Sequence, residues 1–213
     1  MIDKPSKTEP IRYAICVSGA AGGSTIQQSH EEAELLGKTI AEEGHILTTG
    51  ATVGLPYYAA RGAKLAGGMS IGFSPATSFR EHLYKYRLPH KFFDFINFTG
   101  LKYVGRDQYL VQSSDAVITV GGRLGSMHEF LTALESGIPC GVLLGSGGAA
   151  DAIPGILELQ PDFKRLVVFD TDPVKLVRKV VDILDKDFKD IKSELLRDKH
   201  WFLEPNETPD HAG

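Results

Sequence analysis

The chain has 213 residues, of which 23 are Lys or Arg and 27 are Asp or Glu, so its formal net charge at pH 7 is -4. A hydrophobic fraction of 42% and a charged fraction of 23% are typical of globular proteins and exclude wholesale disorder. This mildly acidic balance, without a basic stripe, disfavours a nucleic-acid binder that works by neutralising phosphates, although it is compatible with a small phosphorylated ligand.

No segment contains the run of about 18 apolar residues that a membrane helix needs. The first ten residues are polar and lack an apolar stretch, so a secretory signal is not expected. Cys16 and Cys140 lie in apolar runs typical of strands, and we interpret them as reduced core thiols. Together these features predict a cytoplasmic protein that contacts no membrane.

Short apolar runs alternate with amphipathic segments along the chain. The apolar runs predict strands at residues 13–17, 45–49, 69–73, 115–120, 139–144 and 166–169. The amphipathic segments predict helices at residues 28–43, 53–66, 125–136, 149–159 and 173–184. Strands that are apolar on both faces indicate a parallel sheet covered by helices. We therefore predict an α/β fold, a Rossmann-like open parallel sheet with helices on both faces in three layers.

This predicted domain spans residues 12–190, between an N-terminal extension at 1–11 and a C-terminal tail at 191–213. The segment 74–100 breaks the alternation, because it is rich in aromatic and basic residues. It is either a lid or half of an interface, or a buried strand at 93–98 preceded by a surface loop. In the polar tail, Trp201 and Phe202 are candidate anchors, and the last residues are expected to be disordered.

Three glycine-rich turns follow predicted strands, at residues 18–24, 50–54 and 121–126. Ligands of such sheets lie at the carboxyl ends of the strands, where glycines let the backbone approach an anion and helix N-termini direct free N–H groups at it. Each turn alone is more often a tight connection, but three at one edge favour an anionic ligand. None has the GxGxxG pattern of a dinucleotide fold or the GxxxxGK[ST] pattern of a P-loop. The predicted phosphate-binding residues are Ser18, Gly19, Gly50, Gly54, Gly121, Gly122, Arg123, Gly125 and Ser126.

Several sequence blocks resemble one known family. They lie at residues 17–19, 49–55, 60–63 with 67–68, 105–107 with 115–116, and 121–129. These blocks are similar to those of the LOG-type proteins, a Rossmann-like group. It includes cytokinin riboside 5′-monophosphate phosphoribohydrolases, molybdenum-cofactor carrier proteins and proteins once labelled lysine decarboxylases. The resemblance covers residues 12–185, which is most of the chain.

The family signature PGGxGTxxE aligns with residues 121–129, where the first and third glycines and the glutamate are kept. Gly121 stands in place of the proline, Arg123 in place of the second glycine, and Ser126 in place of the threonine. Arg106 matches the arginine of the family's Arg–Lys pair, whereas Asp107 replaces its lysine. The Gly–Gly form of the turn and the block at 60–63 are closer to the cofactor-carrier branch.

The resemblance implies hydrolysis of the N-glycosidic bond of a nucleoside 5′-monophosphate to a free base and ribose 5-phosphate. Glu129 would stabilise the oxocarbenium-like transition state or orient water, and Arg106 would hold Glu129 and the ribose or phosphate in place. The alternative is a non-catalytic carrier or sensor of a phosphorylated ligand such as a pterin-type cofactor. The two classes separate on Glu129, because hydrolysis requires this carboxylate whereas phosphate binding should tolerate Glu129→Gln.

A lysine decarboxylase is disfavoured, because no lysine lies at a strand end beside the glycine-rich turns to form a Schiff base. His, Cys and carboxylate residues do not cluster at metal-ligand spacing, so we predict no metal and no resident cofactor. His128 points about 100° away from Glu129 on a helix and is not expected to form a dyad with it. The resemblance also implies a homodimer with the pocket near its interface, to which the segment 74–100 or the apolar face of residues 106–112 could contribute.

Overall fold

A computed structural model describes residues 11–189, in which strands and helices alternate. The strands are β1 (Ala14–Gly19), β2 (Ile46–Thr49), β3 (Met69–Ser74), β4 (Phe95–Phe98), β5 (Ala116–Val120), β6 (Cys140–Leu143) and β7 (Val167–Asp170). The helices are α1 (Thr25–Glu42), α2 (Leu55–Leu65), α3 (Phe79–Tyr84), α4 (Lys102–Gln112), α5 (Leu124–Glu135), α6 (Gly148–Leu157) and α7 (Pro173–Asp187). A short 3-10 helix, Pro161–Leu166, precedes β7.

The strands form one parallel sheet in the order β4-β3-β2-β1-β5-β6-β7. Helices α1, α2 and α7 pack on one face, and α4, α5 and α6 on the other. The predicted three-layer Rossmann-like fold is therefore confirmed.

Successive residues of β1 point to opposite faces of the sheet. Ile15 and Val17 are buried against α1, α2 and α7, whereas Cys16 is buried on the side of α4 and α5. Ser18 follows Cys16 by two residues and so faces α4 and α5 at the carboxyl end of the strand. This alternation directs a polar side chain towards the site described below. Cys16 and Cys140 are both buried and unpaired, as interpreted from the sequence.

The segment 74–100 contains the short helix α3 and the edge strand β4. A strand at this place was one of the two interpretations, but its expected burial is wrong. β4 has a strand neighbour on one side only, and Phe95 remains 62% exposed. Buried His82 holds the segment together: its Nδ1 lies 2.9 Å from Oγ of Ser74, and its Nε2 lies 2.8 Å from the carbonyl oxygen of Pro89.

Two parts of the chain were predicted with less detail than the structure gives. α4 was not predicted as a separate element, and α1 begins at Thr25, ahead of the predicted start at residue 28. The helical conformation of α1 is interrupted at Ser29, whose side chain donates to the carbonyl oxygen of Ser146. Most of the predicted extension and the whole predicted tail, including Trp201 and Phe202, lie outside the described residues. Within residues 11–189, no helix is both long enough and apolar enough to cross a membrane.

Candidate functional site

The candidate site lies where the strand order reverses, at the carboxyl ends of β1 and β5. Successive strands are added on one side of β1 up to β4, and the chain then crosses to β5 on the other side of β1. Such a switch point separates the loops that follow the two central strands and leaves a crevice between them. Here the crevice is a cavity of about 370 Å³, bordered by the β1–α1 loop, by α4 and by the start of α5.

Glu129 lies at the inner end of this cavity, on the second turn of α5. The hydroxyl of Ser18 donates a hydrogen bond to Oε2 of Glu129, and Oε1 lies 3.6 Å from Nη1 of Arg106. The carboxyl side chain is only 9% exposed. Three elements, β1, α4 and α5, therefore bring together residues that are far apart in the sequence.

Burial raises the pKa of Glu129 to about 7, because the charged form loses its hydration. The guanidinium of Arg106 and the Ser18 hydroxyl oppose this shift, whereas the neighbouring Asp107 carboxyl adds to it. A carboxyl with this pKa exchanges its proton near neutral pH, which is where a general acid or a pH-dependent binding group operates.

Arg106 is the most unusual side chain of the site, because its charge is buried while part of its hydrogen-bonding capacity is unused. The residue is 4% exposed, and Nη2 lies 3.3 Å from Oδ1 of Asp107. Its Nε and Nη1 atoms have no hydrogen-bond partner within residues 11–189. Leaving such donors unpaired is costly, so they indicate a place where another group accepts a hydrogen bond.

The first turn of α5 forms one wall of the cavity. Leu124, Gly125 and Ser126 line the cavity, and Arg123 stands at the N-cap without capping the helix through its side chain. The leading N–H groups of a helix have no partner within it and carry a partial positive charge. With the exposed Arg123 beside them, they make this wall suited to an anion.

Gly121 and Gly122, which were predicted from the sequence to contact the phosphate, do not line the cavity. The N–H of Gly121 donates to Oγ of Ser146 at 2.7 Å. The carbonyl oxygens of the two glycines accept from the N–H groups of Ala150 and Ala149, at 2.9 Å and 3.1 Å. This turn therefore docks on the start of α6.

Gly54 also lies outside the cavity lining, and its role in the fold is visible. Its φ is 81°, and a β-carbon there would lie 2.2 Å from the carbonyl oxygen of Ala20. The next residue, Leu55, donates its N–H to that same oxygen at 2.9 Å. Gly54 thus allows the β2–α2 turn to contact the β1–α1 loop. The candidate residues that do line the cavity are Ser18, Gly19, Gly50, Arg106, Arg123, Gly125, Ser126 and Glu129.

Other residues that line the cavity were not predicted from the sequence. Tyr103 lies three residues before Arg106 on α4, a spacing that places both on one helix face. Recognising α4 as a helix would have been enough to find it. Asp107 also lines the cavity and contacts Nδ1 of His128 at 3.2 Å, so His128 is paired with this carboxyl rather than with Glu129. Within residues 11–189, no three His, Cys, Asp or Glu side chains are grouped as metal ligands.

A family model described as the SLOG cluster4 family matches residues 12–176. The chain belongs to the SLOG cluster4 family. This confirms the expected Rossmann-like LOG/SLOG group, while the PGGxGTxxE signature is kept only in part. An uncharacterized protein of Archaeoglobus fulgidus is 33% identical over 115 residues, which make up 54% of this chain and 70% of that protein.

The solved structures that are similar to this chain include two molybdenum-cofactor proteins. The Moco carrier protein of Chlamydomonas reinhardtii is 29% identical, with a TM-score of 0.69, over 83% of this chain and 99% of that one. The molybdenum cofactor binding protein of Rippkaea orientalis is 27% identical, with a TM-score of 0.67, over the same shares of the two chains. DNA processing protein A of Helicobacter pylori, at 18% identity and a TM-score of 0.55 over 80% of each chain, shares the fold alone.

Proposed function

We propose that this protein binds a small phosphorylated ligand, a nucleotide or a pterin-type cofactor, and that it acts as a carrier or sensor of that ligand. The observation that carries the proposal is Arg106, a buried guanidinium with two unpaired nitrogens beside a cavity. The cavity volume of about 370 Å³ falls in the range of roughly 300–1,000 Å³ that small-molecule sites span.

The ligand's phosphate lies at the start of α5. There the free N–H groups of the first turn, the Ser126 hydroxyl and the Arg123 guanidinium offer donors and positive charge. Gly22 and Ala21 border the same space from the β1–α1 loop. Because the Gly121–Gly122 turn is bonded to α6, the phosphate contacts come from the helix start rather than from that turn.

The inner end of the cavity recognises the uncharged part of the ligand. Glu129 offers acceptor oxygens near the unpaired Nε and Nη1 donors of Arg106. Such a mixed set of donors and acceptors fits ribose hydroxyls or the edge of a pterin ring. Tyr103 and Pro56 provide the apolar surface against which a flat ring can pack.

The carrier role is supported first by the two molybdenum-cofactor proteins that this chain resembles at 27% and 29% identity. It is supported second by the contacts and the raised pKa of Glu129. Its Oε2 accepts a hydrogen bond from Ser18, its Oε1 lies 3.6 Å from Nη1 of Arg106, and its raised pKa leaves much of it uncharged near neutral pH. A carboxylate that stabilises an oxocarbenium-like transition state must be ionised.

Hydrolysis of an N-glycosidic bond is the second candidate function. The observation that favours it is the retained pair of Glu129 and Arg106, which lie 3.6 Å apart at the inner end of the cavity. In this reaction Glu129 stabilises positive charge at C1′ or orients water, and Arg106 holds the ribose or phosphate.

Calorimetric titration of the purified protein with AMP, GMP and isolated molybdenum cofactor tests binding, and chromatography of the same mixtures tests release of free base. The carrier role predicts binding without base release, and Glu129→Gln should still bind. Base release that disappears in Glu129→Gln would establish the hydrolase instead. Arg106→Gln should abolish binding, whereas Arg165→Gln, at an exposed arginine outside the cavity lining, should not. A single-stranded oligonucleotide in the same panel tests the prediction that no nucleic acid binds.

We also propose that the protein is a homodimer. Apolar side chains are exposed on α4, on α5 and at the N-cap of α4, and two of them, Tyr103 and Leu124, line the cavity. The exposed side chains are Leu101, Tyr103, Val104, Tyr109, Leu124 and Leu131. A second copy that covers them would also shield the cavity from solvent. Light scattering after gel filtration should give twice the 23.2 kDa chain mass, and Val104→Glu should give the monomer mass.

A further inference from the structure

Five side chains form a continuous path from the floor of the cavity to the protein surface. Ser18 contacts Glu129, Glu129 contacts Arg106, Arg106 contacts Asp107, and Asp107 contacts His128. The first four are buried, whereas the His128 side chain is 44% exposed. A proton exchanged at the surface can therefore change the charge balance inside the cavity.

The charges along this path do not balance unless a proton is bound. Arg106 supplies one positive charge, and it lies against the two carboxyl groups of Asp107 and Glu129. With both carboxyls ionised and His128 neutral, the group carries one net negative charge, which opposes the entry of a phosphorylated ligand. Within residues 11–189, the ion pairs of Asp107 are with Arg106 and His128.

We propose that His128 is a positioning residue of the cavity: when protonated it holds Asp107 and so frees Arg106 to contact the ligand. Ligand affinity then depends on a positive charge at position 128, beside the Asp107 carboxyl. This inference rests on the proposed binding function, because it assigns the charge with which the same cavity accepts its ligand.

The titratable and charged side chains near Asp107 lie on α4, α5 and β1. Arg106 precedes it on α4, Glu129 and His128 approach from α5, and the buried Cys16 lies within electrostatic range on β1. The thiol of Cys16 stays protonated near neutral pH, because burial raises its pKa. Glu129 is the other group that can hold the proton, since burial raises its pKa as well. The experiment must therefore separate His128 from Glu129.

Two substitutions make this separation. His128→Gln keeps a polar side chain at the same place but cannot be charged, and His128→Lys carries a charge throughout the neutral range. His90→Gln is the matched control, because His90 is also exposed but packs its ring against Phe79 in the segment before β4. A merely structural contact between α4 and α5 would not depend on pH and would not be restored by lysine.

The affinities for AMP and for inorganic phosphate are measured by calorimetry between about pH 6 and pH 8. His128→Gln should bind on the order of tenfold more weakly than His128→Lys throughout this range, the effect of one nearby charge. Wild type and His90→Gln should agree with each other and lie between the two His128 variants. Equal affinities of His128→Gln and His128→Lys overturn the proposal.

A second measurement needs no ligand. The ¹³C resonance of the Asp107 carboxyl carbon, measured by NMR in the free protein, should differ between His128→Gln and His128→Lys, because only lysine places a positive charge beside this carboxyl. If no anion binds to wild type at any pH, the proposed function fails, and the carboxyl resonance alone decides the inference. An Asp107 resonance that is unchanged by the substitution overturns it.

Discussion

Gly50 makes room for Arg106. A β-carbon at this position would lie 1.8 Å from Nη1 and 2.7 Å from Cζ of the arginine, closer than real β-carbons approach other atoms. Gly50 follows β2, and Arg106 reaches the same place from α4, the helix between β4 and β5. The absence of a side chain after one strand therefore determines where the buried guanidinium lies.

Gly50→Ala should displace Arg106 and destabilise the protein by about 1–3 kcal/mol, the usual cost of overpacking a filled interior. Urea denaturation measures this change, and AMP titration should show lost binding. Gly155→Ala is the control, because a β-carbon on this exposed position of α6 meets no atom within 4 Å. It should stabilise the helix by a few tenths of a kcal/mol to about 1 kcal/mol. Equal effects of the two changes would contradict the assigned packing role.

Glu129→Gln should be more stable than wild type at high pH. In the folded protein the pKa of Glu129 is raised to about 7, whereas an ordinary glutamate has a pKa of 4.5. The folded state therefore holds this proton longer than the unfolded state, and stability falls as the pH rises from about 4.5 past 7. The loss amounts to roughly 3 kcal/mol at the upper end of the window.

Urea denaturation of both proteins between pH 5 and pH 8 should show the advantage of Glu129→Gln growing with pH. Glu158→Gln, at a glutamate whose side chain is 69% exposed, provides the control and should follow the wild-type curve. Parallel curves for Glu129→Gln and wild type would show that the buried carboxyl does not titrate in this range.

Ser18→Ala should raise the pKa of Glu129 further. The Ser18 hydroxyl donates to the carboxylate and so stabilises its charged form. A ¹³C NMR titration of the Glu129 carboxyl carbon should show its midpoint at a higher pH in the variant. Ser126→Ala, which removes another buried hydroxyl from the cavity wall, should leave the midpoint in place. A downward shift in Ser18→Ala would mean that the hydroxyl does not donate to Glu129.

His82 should make the protein less stable as the pH falls, whereas Glu129 makes it less stable as the pH rises. Burial lowers the pKa of His82 below its ordinary 6.5, so the unfolded chain takes up this proton first as the pH falls. Stability is therefore lost on acidification below about pH 6.5. His82→Gln removes this titrating group, so its free energy of unfolding should fall less between pH 7 and pH 5 than that of wild type. His30→Gln, at a histidine that packs against Tyr58 away from this segment, serves as the control, and an equal fall in all three proteins would exclude His82 as the cause.

The two cysteines should be unreactive until the protein unfolds. Cys16 and Cys140 are buried, and burial raises the pKa of both thiols well above neutrality, so almost no reactive thiolate is present. A thiol reagent with a coloured product should report two thiols in urea and almost none in the native protein. Rapid labelling of the native protein would show that one of these strands opens readily.

Much of the site was accessible from the sequence because its residues lie in local patterns. The glycine-rich turns follow apolar runs, and the block at 121–129 places Glu129 on the helix that starts there. The glycines were harder to assign, because the same φ angles serve a phosphate contact or a tight connection. Only the packing shows that Gly54 approaches Ala20 and that the Gly121–Gly122 turn is bonded to the start of α6.

The sequence by itself determined the parallel sheet, its alternation with helices and the edge at which the polar turns meet, since hydrophobic periodicity and turn residues act over a few positions along the chain. Only the tertiary structure decided which of those residues touch. The partnership of Ser18 with Glu129, of Gly50 with Arg106 and of Asp107 with His128 joins strands and helices distant in sequence. Such contacts depend on strand order and helix packing, and these are set by how all the apolar surfaces are buried together rather than by any local pattern.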